Sequence, residues 1–158
     1  MPGDLVFCHS KGIVSRAIRL AERLRWRGGS EYNHVAILDR YADGEWSVIQ
    51  AEARGVTQGA KLSTVAPGGR YVVVSALPVA DDESALNFAR AQVGRRYGFL
   101  TIASIVTTVL LPKFVNVMLP DTWICSALAA EALRCGGWVH NWPDVYQVSP
   151  AQLAEALS

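Results

Sequence analysis

The chain has 158 residues, 51% of them hydrophobic and 18% charged, with a formal net charge of +1. This length suits one domain, residues 1–158, with its own core, and the composition excludes a disordered or collagen-like chain. The near-neutral charge lacks the basic profile of a dedicated nucleic-acid binder, and three cysteines, Cys8, Cys125 and Cys135, are too few and of the wrong parity for a disulfide framework.

Met1-Pro2-Gly3-Asp4 does not begin a basic stretch followed by an apolar one, so no secretory signal is expected. A cytoplasmic location is the default; an envelope substrate would require delivery by a phage particle, a secretion system or a larger parent chain. Asp4 to Cys8 reads as a first strand. From Gly12 to Trp26, Ile13, Ala17, Leu20 and Leu24 recur at helical spacing, and Gly28-Gly29 marks the stop. The opposite face carries Arg16, Arg19, Arg23 and Arg27. Lys11 to Arg27 holds six basic residues and one acidic, a local balance of +5 that leaves −4 for the rest of the chain. That stripe is either a solvated helix face or a surface for anionic headgroups.

Three strand-like runs follow, His34 to Asp39, Trp46 to Ala51 and Arg70 to Leu77, with Asp43-Gly44 as a hairpin turn between the first two. Val72-Val73-Val74 has the continuous apolar character of a strand buried on both faces. Asp81-Asp82-Glu83 opens a helix that carries Leu86, Phe88, Ala89 and Val93 to a Gly94 stop. The longest uncharged stretch, Tyr97 to Pro112, is sixteen residues, shorter than the ~20 needed to span a bilayer, so no transmembrane helix is expected. Within it, Phe99 to Leu111 reads as a core helix or a segment in contact with an acyl chain. A third helix is expected from near Thr122 to Gly136-Gly137. Ser149-Pro150-Ala151-Gln152 carries a complete capping signature for a last one. Helices and an antiparallel sheet segregated along the chain make an α+β domain.

Cys125 follows a Pro-Asp-Thr turn and opens an Ala-rich helix, where unpaired N–H groups and the helix dipole favour a thiolate. Cys8, in a strand, and Cys135, at a helix end, read as buried core thiols. A thiol nucleophile needs a base distant in sequence; among His9, His34 and His140, position makes His34 a modest favourite. An imidazole base also wants a third polar group to orient it, and Gln50 and Glu52, two apart on the next strand, both qualify. With no close spacing among the histidines and cysteines, neither a zinc site nor a cofactor is expected.

Together, Gly3-Asp4-Leu5-Val6-Phe7, Tyr32-Asn33-His34-Val35-Ala36-Ile37, Val48-Ile49-Gln50-Ala51 with Gly55-Val56, Gly94-Arg95-Arg96-Tyr97 and Ile124-Cys125-Ser126-Ala127-Leu128 resemble the circularly permuted branch of the NlpC-type papain-fold cysteine hydrolases. That family is related to bacterial cell-wall peptidases and to lecithin:retinol acyltransferase-like enzymes. The motifs span almost the whole chain in the family's order, with the histidine strand before the cysteine helix. The resemblance implies a permuted papain-like fold, Cys125 as nucleophile, His34 as base and Gln50 as the third residue. Many relatives have Glu there, so Glu52 stands as its substitute. Tyr97 resembles a tyrosine lining the substrate pocket. The implied reaction is cleavage of an amide or ester acyl bond through a thioester, by a hydrolase or acyltransferase acting on cell-envelope substrates. Lipid acyl bonds and peptidoglycan peptide bonds are equally open, and Arg16, Arg19 and Arg23 would meet an anionic membrane surface. A non-catalytic binding or structural module of the same fold, in a phage particle or a secreted toxin, is the alternative.

Overall fold

The computed structural model describes residues 1–9, 32–75, 81–100, 121–140 and 145–158. The expected helix Gly12 to Trp26 with its arginine stripe, the end of the strand at Leu77, and the apolar segment beyond Leu100 lie outside these residues. Within them the chain is α+β, a five-stranded antiparallel sheet packed with helices.

The strands are β1 (Leu5–Cys8), β2 (His34–Ala42), β3 (Glu45–Glu52), β4 (Gly55–Lys61) and β5 (Tyr71–Val74), in the order β4-β3-β2-β1-β5. Asp43 and Gly44 both adopt positive φ, 53° and 77°, and Ala42 pairs with Glu45, so the β2–β3 connection is a two-residue turn. Such mirror-image turns match the twist of the strands they join. Alternation along the strands sends Leu5, Phe7, Val35, Ile37, Ile49 and Ala51 to one core, and Val6, Cys8, Ala36, Leu38 and Val48 to a second on the other face. The second core is closed by Leu62, on the one-turn helix α1 (Leu62–Val65), and by Ala66.

The first core is covered by α2 (Asp82–Ala91) and α3 (Cys125–Cys135). The Asp81 side chain caps α2 by accepting from the Ser84 N–H at 3.0 Å, and Asp82 and Glu83 sit in its first turn, where they complement the dipole. Ala127, Ala129, Ala130 and Ala132 let α3 lie close against the sheet, while Leu128 and Leu133 fill the space between. Full burial of each leucine is worth about 1.5–3 kcal/mol. The C-terminal helix α4 (Pro150–Ala156) carries the expected capping box: Ser149 Oγ accepts from the Gln152 N–H at 3.2 Å, and Gln152 Oε1 accepts from the Ser149 N–H at 2.9 Å.

Three expectations are corrected. The Val72–Val74 run is not buried on both faces: β5 is an edge strand beside β1, and Val72 is 44% exposed. Thr122–Trp123 is not the start of a helix but a two-residue strand, β7, that pairs in parallel with β6 (Arg96–Tyr97). The helix therefore starts at Cys125 itself. Cys135 is exposed rather than a core thiol, because it is the last residue of α3 and lies beyond the buried stripe that ends at Leu133. Among the described residues no helix is long and apolar enough to cross a membrane.

Candidate active site

Cys125 is the first residue of α3, 4% exposed, and follows Ile124, whose extended backbone ends the β7 segment without a side-chain cap. The first-turn N–H groups therefore remain directed along the helix axis toward the sulfur. The Ser126 N–H donates to it, as does the Val35 N–H of β2. Val35 is available for a reason of register. The Leu38 N–H donates to Asp4 on the β1 side at 2.8 Å, so alternation turns the Val35 N–H toward β3, where the ladder stops at Ile37 and Ile49. Cys125 fits at the open end of that ladder.

His34 is the first residue of β2 and is half-buried at the sheet rim. Its Nε2 lies 2.7 Å from Gln50 Oε1, and the ring also hydrogen-bonds the Cys125 thiol. An imidazole has two nitrogens, so Nε2–H donating to Gln50 leaves Nδ1 for the sulfur. Burial raises the Cys125 thiol, but the hydrogen bond and charge of His34 and the two backbone N–H groups overcome this and hold it below the ordinary thiol range. For His34, burial works against the protonated ring. The Cys125 hydrogen bond and charge, the Gln50 hydrogen bond and the Glu52 charge together raise it. Both shifts favour a thiolate–imidazolium pair.

Of Gln50 and Glu52, the structure brings Gln50 to the His34 ring. Gln50 is buried and bonds the ring, whereas the Glu52 carboxylate is bonded to Arg54 at 3.0 Å and to Thr57 at 3.4 Å. Glu52 acts on His34 through space only. The other cysteines are unlike Cys125. Burial, and then the Cys125 charge, push the Cys8 thiol up to about 12, and burial together with Glu131 raises Cys135. His9 and His140 are exposed, and the histidine acting on Cys125 is His34. No cluster of three His, Cys, Asp or Glu side chains suited to a metal ion occurs among the described residues.

Tyr97 is half-buried at the end of β6, paired with Trp123 two residues before Cys125. Burial and the Cys125 charge raise its hydroxyl, which therefore stays protonated beside the sulfur. A pair of backbone bonds holds this segment: the Val56 N–H donates to the Arg95 carbonyl and the Gly94 N–H to the Val56 carbonyl, each at 2.9 Å. Gly55 is required by the same approach, since at φ +113° a Cβ there would lie 2.5 Å from the Arg95 oxygen. The Gly55-Val56 pair thus has a physical purpose. It docks β4 against the strand that carries Tyr97.

Beside Tyr97 lies a cavity of about 610 Å³, lined among the described residues by Gly94 to Leu100, Asp121 and Thr122. This volume is within the usual range for small-molecule sites, roughly 300–1,000 Å³. Two contributions escaped sequence reasoning. The Val35 N–H is visible only once the sheet register is known, and the cavity walls come from two segments about 25 residues apart, joined by the Arg95–Asp121 ion pair at 2.5 Å. No family model matches the chain, and no curated protein matches its sequence.

Proposed function

We propose that this protein is a cysteine-dependent acyl hydrolase or acyltransferase with a permuted NlpC-type papain-like fold. The observation that carries the reading is the chain of contacts from the Cys125 thiol at a helix start, through the His34 ring, to the buried Gln50 amide. Helix start, imidazole and amide are what a thiol nucleophile needs: a lowered pKa, a proton acceptor, and an orienter that fixes the tautomer.

In this reading His34 takes the Cys125 proton and the thiolate attacks an acyl carbonyl. The tetrahedral oxyanion lies against the Cys125 N–H, whose position at the start of α3 leaves it free of an intrahelical acceptor. A donor of this kind contributes about 3–4 kcal/mol to lowering the barrier. Collapse expels the alcohol or amine, which receives the His34 proton, and leaves a thioester on Cys125. Water, deprotonated by His34, then releases the acid, or an acceptor alcohol or amine takes the acyl group. Gln50 carries no charge, so it orients the ring, and Glu52 at longer range supplies the negative charge favouring the imidazolium.

The test is turnover of simple esters and amides by the purified chain. Cys125→Ala and His34→Ala should abolish it, while His9→Ala and His140→Ala retain it. If Cys125→Ala leaves every measured activity and binding function intact, the protein is instead a non-catalytic module of this fold.

A further inference from the structure

The two edges of the five-stranded sheet, β4 and β5, are built differently. The start of β4 is docked, with the Val56 N–H and carbonyl taken by Arg95 and Gly94, and the rest carries Gln58, Gly59 and Lys61 along a shifted register. The β5 strand, Tyr71-Val72-Val73-Val74, has no charge, proline or bulge, and Tyr71, Val72 and Val73 are 38%, 44% and 43% exposed. Folded proteins blunt their edge strands with charges, proline, bulges or a covering element, because an open edge templates pairing with another chain.

Register decides which backbone groups of β5 face outward. The Leu38 N–H donates to the Asp4 carbonyl at 2.8 Å and the Asn33 N–H to the Cys8 carbonyl at 3.2 Å, so Asp4 and Cys8 face β2. Alternation turns Leu5 and Phe7 toward β5, where they meet Val74 and Val72. Val72 and Val74 therefore bond β1, and Tyr71, Val73 and Ser75 are directed away from the sheet. The Tyr71 N–H is held by the Gly69 carbonyl at 3.1 Å. What remains is centred on Val73: its own N–H and carbonyl, the Tyr71 carbonyl on one side and the Ser75 N–H on the other, without partners among the described residues.

This row is its own complement. A second copy laid antiparallel with Val73 opposite Val73 satisfies all of these groups: the two Val73 residues exchange both bonds, and each Tyr71 carbonyl accepts from the other copy's Ser75 N–H. The same register sets Val72 against Val74 on the face of the first core, and Val73 against Val73 on the face of the second, so both apolar faces continue across the seam. It also keeps the two exposed Arg70 side chains about six residues, or roughly 20 Å, apart along the strands. A parallel pairing would set them side by side.

We propose that β5 is the seam of a two-fold dimer of this chain, in which the two β5 strands pair antiparallel about Val73 and join two five-stranded sheets into one. The seam lies two strands from β2, which carries His34, and the proposal stands independently of the thiol-hydrolase reading.

Sedimentation velocity of the purified chain over a rising concentration series should show a species of twice the 17.2 kDa chain mass. Val73→Lys and Val73→Glu each put like charges directly opposite one another across the axis, which destabilises a cross-strand pair. Each variant alone should sediment as a monomer with the circular dichroism of the wild type. An equimolar mixture of the two should recover the dimer, because opposite charges then face each other; neither a folding defect nor a site for an unrelated peptide would be rescued in this way. A wild-type chain that stays at 17.2 kDa throughout the series overturns the proposal. A dimer that persists undiminished in Val73→Lys does the same, and so does a mixture that remains monomeric.

Discussion

Replacing Gln50 by leucine keeps the volume of a buried side chain but removes the acceptor 2.7 Å from His34 Nε2. A hydrogen bond to a charged group is worth about 1.5–3 kcal/mol, and every 1.4 kcal/mol is about tenfold in an equilibrium. The loss should therefore lower the proton affinity of His34, because one of the contacts that offset burial of the protonated ring is gone. The sign for Cys125 follows. Its thiolate is favoured while His34 holds a proton, so weakening the imidazolium moves the thiol back up toward its ordinary range. The pH at which iodoacetamide labelling of Cys125 rises should shift upward, and the labelling rate at neutral pH should fall roughly tenfold or more. Gln50→Glu places a carboxylate at the same point and should shift the rise downward. Peptide-level mass spectrometry separates labelling of Cys125 from that of Cys8 and Cys135. A Gln50→Leu profile superimposed on the wild-type one, in a protein with unchanged thermal unfolding, would refute the coupling.

Three further outcomes are expected. Cys125 should label at a lower pH than Cys8 and Cys135, since its thiol is lowered while Cys8 is pushed up to about 12 and Cys135 is also raised; equal labelling of Cys135 across the pH range would contradict the lowered Cys125 thiol. Gly55→Ala combines a positive φ with a Cβ 2.5 Å from the Arg95 oxygen, and should cost about 2–3 kcal/mol, seen as a fall in melting temperature of roughly 5–10 °C. Arg90→Ala removes the Nε and Nη2 donors, at 2.9 and 2.8 Å, from the buried Asp39 carboxylate and leaves it with Gln58 at 3.0 Å. With Arg90 partly exposed, the loss should be about 2 kcal/mol, below the full value for a buried pair, measured by urea denaturation.

Much of the sheet was legible in the sequence because its signals are local. Alternation and the Asp43-Gly44 turn mark β2 and β3, and Ser149-Pro150 with Gln152 marks α4. The strand β4 was not foreseen, since Gly55, Gly59 and polar residues dominate it; it is an edge strand in which Gly55 and Val56 alone are buried. Val72 to Val74 misled in the opposite direction, as an apolar run does not say whether its strand will lie inside a sheet or at its edge. In the candidate site, Cys125 and His34 were readable from the helix start and from the resemblance. The choice of Gln50 over Glu52 depended on where Glu52 finds Arg54 and Thr57, a tertiary matter.

Trapping the acyl intermediate puts the nucleophile itself to the test. The protein is mixed with a p-nitrophenyl ester, quenched in acid within the first turnovers and digested for mass spectrometry. An acyl group on Cys125 that forms in the wild type and in His9→Ala, and is lost in His34→Ala, is the predicted result. Turnover without any adduct on Cys125, or acylation of Cys125 at an undiminished rate in His34→Ala, would contradict it.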